Sequence, residues 1–182
     1  MKEYKCIKGH DLCSTMYPNE YCRYCEVKPI DQFSGDNRFL SNFYWSKVFY
    51  DGIIYPSAEH AYQAAKTNDY KIKKFIANLS TPNKAKEFGK GLILNADKKA
   101  WYKNSLLIME NVVWNKFCEN TNLLDKLLDT YPAELIEGNY WNDTFWGVCN
   151  GKGENHLGKI LMKVRQELKE LISFLEEHKK KT

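Results

Sequence analysis

The chain lacks any long uncharged apolar run, which excludes a helical membrane span, and it shows no internal repeat and no low-complexity stretch beyond a charged end. Charge of one sign is also scarce: 27 Lys+Arg against 23 Asp+Glu leave +4, part of it in Lys179-Lys180-Lys181. So small an excess favours an anionic partner only mildly and does not establish nucleic-acid binding. The N-terminus, Met1-Lys2-Glu3-Tyr4-Lys5-Cys6, has no apolar signal core, so a cytoplasmic, reducing location is expected, where disulfides rarely persist. Up to about Val27 large aliphatic residues are almost missing, so residues 1–27 cannot hold a fold by burial alone.

Aromatic and apolar residues are present in strength, at 14% and 43% of 182 residues, and they exclude intrinsic disorder. That length suits one ordinary domain, residues 28–182, with a small appendage before it. Of the six cysteines, Cys6, Cys13, Cys22 and Cys25 crowd into the appendage with His10 among them. A Cys-x2-Cys turn suits one edge of a tetrahedral zinc site, so the expectation is a zinc-ribbon-like appendage held by Cys6, Cys13, Cys22 and Cys25, with His10 as alternate ligand. Such a closed site is structural, and no organic cofactor is expected.

In the main domain, Val48-Phe49-Tyr50 and Ile53-Ile54-Tyr55 flank Asp51-Gly52 and predict a hairpin. Helices are predicted over about 58–68, from Thr81-Pro82 to near Gly89, from Asn95 through Cys118, and after Asn122. Glu134–Asn139 reads as a strand and Tyr140–His156 as a structured loop. The last helix carries its apolar stripe from Leu157 to Leu175.

Two blocks carry chemistry. In Tyr55–Lys66, the residues Glu59, Gln63 and Lys66 stand at i, i+4 and i+7 on one stripe, and Ala58, Ala61, Ala64 and Ala65 occupy the opposite side. The small face lets the helix seat closely, which fixes where the carboxylate, amide and amine point; the plainer reading is a solvated face with a Glu–Lys pair. His60, between the faces, reads as packed or capping. In Gly138–Gly147, Tyr140, Trp141, Phe145 and Trp146 surround Asp143, where aromatic walls would raise a carboxyl pKa and help it donate a proton. The plainer reading makes the aromatics core and Asp143 a turn former.

Together these blocks resemble the NADAR family, also called YbiA-like. The matching stretches include Phe39–Phe43, Tyr55–Lys66, Trp101, Met109, Lys116-Phe117, Leu128–Thr130, Leu135–Gly138, Asp143–Gly147 and Asn155–Arg165. The likeness covers roughly residues 33–168 and leaves out the cysteine-rich segment. It implies an α+β, largely helical single domain of YbiA-like type, with a small β-hairpin region. It also implies an N-glycoside hydrolase acting where ribose C1 joins an exocyclic amine. Two substrate types go with the family: guanine carrying ADP-ribose, which in nucleic acid is the favoured expectation, and phosphorylated ribosylamino-pyrimidines of riboflavin synthesis. A non-catalytic ADP-ribose-binding module is the third reading; a toxin partner is left open, and no membrane partner is expected. For the bond so implied, the chemistry of the residues argues for catalysis on Glu59, Lys66 and Asp143. Lys66 as a Schiff-base nucleophile is slightly preferred over a direct carboxyl pair, because it explains an amine beside a carboxylate on one stripe. Around this centre the resemblance assigns substrate contacts to Arg38, Asn42, Gln63, Trp101 and Trp146, and a phosphate at the start of the last helix to Asn155 and Gly158.

Overall fold

The computed structural model describes residues 27–92 and 98–179. The candidate zinc ligands Cys6, His10, Cys13, Cys22 and Cys25, and the predicted cap Asn95, lie outside the described residues.

A 3-10 helix over Gly35–Leu40 leads into an antiparallel hairpin, β1 (Trp45–Tyr50) and β2 (Ile53–Ser57), paired Val48 to Tyr55 and Tyr50 to Ile53. Its tight turn is Asp51-Gly52, with φ of 50° and 74°. Two consecutive positive φ values match the right-handed twist of the strands, which is why a glycine is needed there.

Helix α1 (Ala58–Ala64) follows directly, with Ser57 as N-cap accepting from the His60 backbone amide. It stops four residues short of the predicted end. After it come α2 (Tyr70–Ala77), α3 (Pro82–Leu92), α4 (Lys98–Cys118) and α5 (Thr121–Asp129). The predicted strand 134–139 shrinks to β3 (Gly138–Asn139), paired in parallel with β4 (Val148–Cys149), plus an isolated Ile30–Leu135 bridge. Around that bridge Glu134 and Ile136 exchange backbone hydrogen bonds with Ile30, and the Glu137 carbonyl accepts from the Val148 amide, so the segment pairs with two different stretches and not with one continuous strand. Helix α6 (His156–Lys179) closes the fold.

Two apolar clusters meet at α1. The larger joins Phe39 and Leu40 to Met109, Val113 and Phe117 of α4 and to Leu157, Leu161 and Val164 of α6; the smaller joins Val48, Ile53 and Tyr55 of the hairpin to Ile76 and Ala85. Ala58, Ala61 and Ala64 belong to the smaller cluster and Tyr62 to the larger. Every residue of α1 is therefore buried, although the helix has only 7 residues. Propensity alone could not hold so short a helix; packing on both sides does.

Candidate active site

The α1 stripe is not a solvated face. Glu59 and Gln63 are 6% and 4% exposed, and Gln63 Nε2 donates to Glu59 Oε1 at 2.7 Å. Both line a cavity of about 1040 Å³. Helix α3 presses close against this stripe: a Cβ on Gly89 would fall 1.9 Å from Gln63 Oε1, so any side chain there would displace the amide. Desolvation pushes the Glu59 pKa up, and the Gln63 hydrogen bond and the Lys86 and Lys66 charges oppose that rise. His60 is packed, as expected: Nδ1 pairs with Ser57 Oγ at 2.7 Å and Nε2 with the Leu79 carbonyl at 3.1 Å. Burial lowers its pKa, which suits a neutral ring that donates from Nε2 to Leu79 and accepts from Ser57.

The facing wall is the loop after α5. Asn139 clamps Asp143 through both ends of its amide, Nδ2 to the Asp143 carbonyl at 2.8 Å and Oδ1 from the Asp143 amide at 3.1 Å. Asp143 Oδ1 in turn accepts from the amides of Phe145, at 3.2 Å, and Trp146, at 2.8 Å. Asp143 is thus a turn former and a cavity-lining carboxylate at once, so the two readings of it are compatible. Trp146 lines the cavity and stands edge-on to Tyr62, with ring centroids 5.5 Å apart.

Asn42 contributes from a third direction. Its backbone carbonyl takes the Glu59 amide at 3.0 Å, its Nδ2 lies 3.3 Å from Met109 Sδ, and its buried Oδ1 has no hydrogen-bond partner among the described residues. The loop that carries it is fixed by Lys116, fully buried, whose Nζ donates to the carbonyls of Phe39 at 2.6 Å and Ser41 at 2.8 Å. Burial lowers the Lys116 pKa to about 7.

Five expected residues stand elsewhere. Lys66 does not line the cavity; it sits just beyond the end of α1, its Nζ 3.4 Å from the Gly89 carbonyl, 5.6 Å from the Tyr62 ring and 5.7 Å from the Trp101 ring. Desolvation lowers its pKa to about 8, opposed by the charge of Glu59. Trp101 packs behind Tyr62, at 5.5 Å, away from the cavity surface. Arg38 lines a separate, smaller hollow beside Lys126 and Asp129. Asn155 is spent on the backbone, accepting from the Glu137 amide at 3.0 Å and donating to the Leu135 carbonyl at 2.9 Å. Gly158 is needed for packing, since a Cβ there would fall 2.1 Å from the Leu135 carbonyl oxygen. The amides of His156 and Leu157 already donate to the carbonyls of Phe145 and Trp146, so the start of α6 presents a used, not an open, set of donors.

Among the cavity residues that escaped the sequence reading, two charged ones bear on the chemistry. Lys86 comes from α3, and Glu137 from the segment expected to be plain strand. Glu137 has its pKa pushed up to about 7, first by desolvation and then by Asp143, against the pull of Lys116 and Lys86. Among the described residues, no group of three or more His, Cys, Asp or Glu converges so as to hold a metal ion.

Residues 30–169 match the model of the NADAR domain. The chain belongs to the NADAR family. A riboflavin biosynthesis protein of Vibrio vulnificus is 35% identical over 160 residues, 84% of this chain, though the chain spans only 43% of that relative's length. N-glycosidase YbiA of Shigella flexneri is 36% identical over 139 residues, covering 74% of this chain and 84% of its own length. The NMR structure of Escherichia coli YbiA superposes with a TM-score of 0.66 at 32% identity, over 85% of this chain and 95% of that one. The NADAR fold accordingly accounts for the cavity-bearing domain and for the mixed helix and strand architecture.

Proposed function

We propose that this NADAR protein is an N-glycoside hydrolase that cleaves the bond between ribose C1 and an exocyclic amine. The observation that carries the reading is the burial of Glu59 on a tightly seated helix, facing Asp143 across one cavity. A carboxyl group as buried as Glu59, with no ion-pair partner among the described residues, is destabilising for folding alone and is suited to chemistry. An amine leaves poorly as an anion, so it must be protonated while positive charge at C1 is stabilised. Glu59 and Asp143 come from separate segments and can approach the sugar from two sides, as in ordinary glycosidases. Gln63 holds the Glu59 carboxyl in place, and Trp146 and Asn42 bound the sugar. Lys66, set back from the cavity, supports Glu59 electrostatically; the covalent route needs its Nζ to enter a cavity that it does not line.

The favoured substrate is guanine carrying ADP-ribose in nucleic acid. A cavity near the upper end of the usual ligand range supports it, as do Tyr140 and Trp141, exposed on the cavity lining where a base can stack. The names of the relatives favour the second reading, hydrolysis of phosphorylated ribosylamino-pyrimidines. Buried carboxyls in the cavity speak against a module that only binds. One assay series decides between them. Release of ADP-ribose from modified single-stranded DNA supports the first substrate, and loss of ribose 5-phosphate from the pyrimidine intermediate supports the second. Binding of ADP-ribose with neither release overturns the enzyme reading.

The appendage belongs to the same proposal as a zinc-stapled segment. Metal analysis of the whole chain is expected to find about one zinc per protein, lost when Cys22 and Cys25 become serine.

A further inference from the structure

We infer that Glu137 is the carboxylic acid that gives its proton to the leaving exocyclic nitrogen, leaving Glu59 and Asp143 free to act on the sugar. The inference rests on the N-glycoside hydrolase reading. Four carboxyl side chains line the cavity, Asp31, Glu59, Glu137 and Asp143; Asp31 is exposed, and the surroundings separate the other three. Glu59 Oε1 accepts from Gln63, and Asp143 Oδ1 accepts from two backbone amides, so both are already arranged as hydrogen-bond acceptors. Glu137 Oε2 is buried and has no hydrogen-bond partner among the described residues. A buried oxygen left so is destabilising unless a ligand completes it, and a neutral carboxyl suffers less than a carboxylate.

The backbone of Glu137 is held on both sides. Its amide donates to Asn155 Oδ1 at 3.0 Å, and its carbonyl accepts from the Val148 amide at 2.8 Å. Gly147 makes room for the stem, because a Cβ at that position would come within 2.9 Å of Glu137 Cγ. The expected phosphate ligand Asn155 thereby acquires another part: it positions the residue that holds the proton. Burial and the neighbouring Asp143 raise the Glu137 pKa to about 7, which keeps the proton available near neutral pH.

The step balances without a further reactant. The Glu137 proton passes to the exocyclic nitrogen as the C1–N electron pair goes to that nitrogen, which departs as a neutral amine. Water then adds to C1 and gives one proton back to the Glu137 carboxylate. The net change is one water consumed for one amine and one free ribose hydroxyl formed.

The test compares Glu137→Gln with the wild-type chain on two ribosides. One has an exocyclic amine leaving group; the other is a ribosyl pyridinium, whose nitrogen departs without needing a proton. The account expects Glu137→Gln to lose about a hundredfold or more on the amine and to remain within about threefold on the pyridinium. The wild-type alkaline limb near pH 7 should vanish in the variant. Equal slowing on both ribosides, or no slowing on either, overturns the assignment. Carboxyl 13C NMR of the wild-type chain needs no turnover. A Glu137 midpoint near pH 7 supports the proposal, and one below about pH 5 overturns it even if the variant fails to fold. Should the wild type cleave neither riboside, the hydrolase reading falls by itself, and the proton-transfer proposal falls with it. A midpoint near 7 would still locate the proton on Glu137.

Discussion

The two walls that present carboxyl groups to the cavity are built in opposite ways. The Glu59 wall is one short helix wedged between two apolar clusters, with alanines on one side and Tyr62 on the other. The Asp143 and Glu137 wall is irregular chain, shaped by the amides of Asn139 and Asn155 clasping backbone groups. In the first wall the position of an acid is a consequence of core packing. In the second it depends on a few hydrogen bonds between side chain and backbone, each worth about 1 kcal/mol net and more when one partner is removed. Damage to the first wall should therefore spread through the fold, and damage to the second should stay local.

Asp143 offers the largest contrast, because its side chain serves both the loop and the cavity. Asp143→Asn keeps an oxygen for the Phe145 and Trp146 amides but removes the charge, so turnover should fall about a hundredfold with little change in Tm. Asp143→Ala should add a loss of about 1–2 kcal/mol in denaturant unfolding. Equal stability of the two variants would show that the turn does not depend on Asp143. On the helical wall, Ala61→Leu forces extra volume into a fully buried site and should cost about 1–3 kcal/mol, read as a lower urea midpoint for the whole domain. A localised effect confined to amide exchange near residue 61 would contradict the wedge account. Asn155→Ala should have the smallest global effect, about 1 kcal/mol, with faster hydrogen exchange concentrated around residues 135–137.

What the amino-acid order revealed follows the same division. The hairpin was readable from Asp51-Gly52 and its flanking strands, the last helix from its stripe, and the seated face of α1 from its alanines. Each of those signals is local or periodic. Helix α2 was missed although Ile72, Phe75 and Ile76 stand at i, i+3 and i+4, because it is only 8 residues long and buries Ile76 alone. The early end of α1 was missed because propensity does not say where packing stops. Glu137 was hidden for a deeper reason: in the chain it is one acidic residue in an ordinary extended segment. Its burial beside Asp143 exists only once Asn155, eighteen residues further along, has clasped the Glu137 amide and the Leu135 carbonyl. Lys66 illustrates the reverse case, since helical spacing aligns it with Glu59 while the helix ends at Ala64 and leaves it behind the cavity wall.

The central claim is that a solvent-shielded carboxylate on α1 breaks a sugar–nitrogen bond. The most direct measurement is the single-turnover rate of amine release by Glu59→Gln beside the wild-type chain, with thermal unfolding recorded on both. The account predicts a rate at least about a hundredfold lower at a Tm equal to or above that of the wild type, because an amide is cheaper to bury than a carboxylate. A variant that releases amine at the wild-type rate would contradict it.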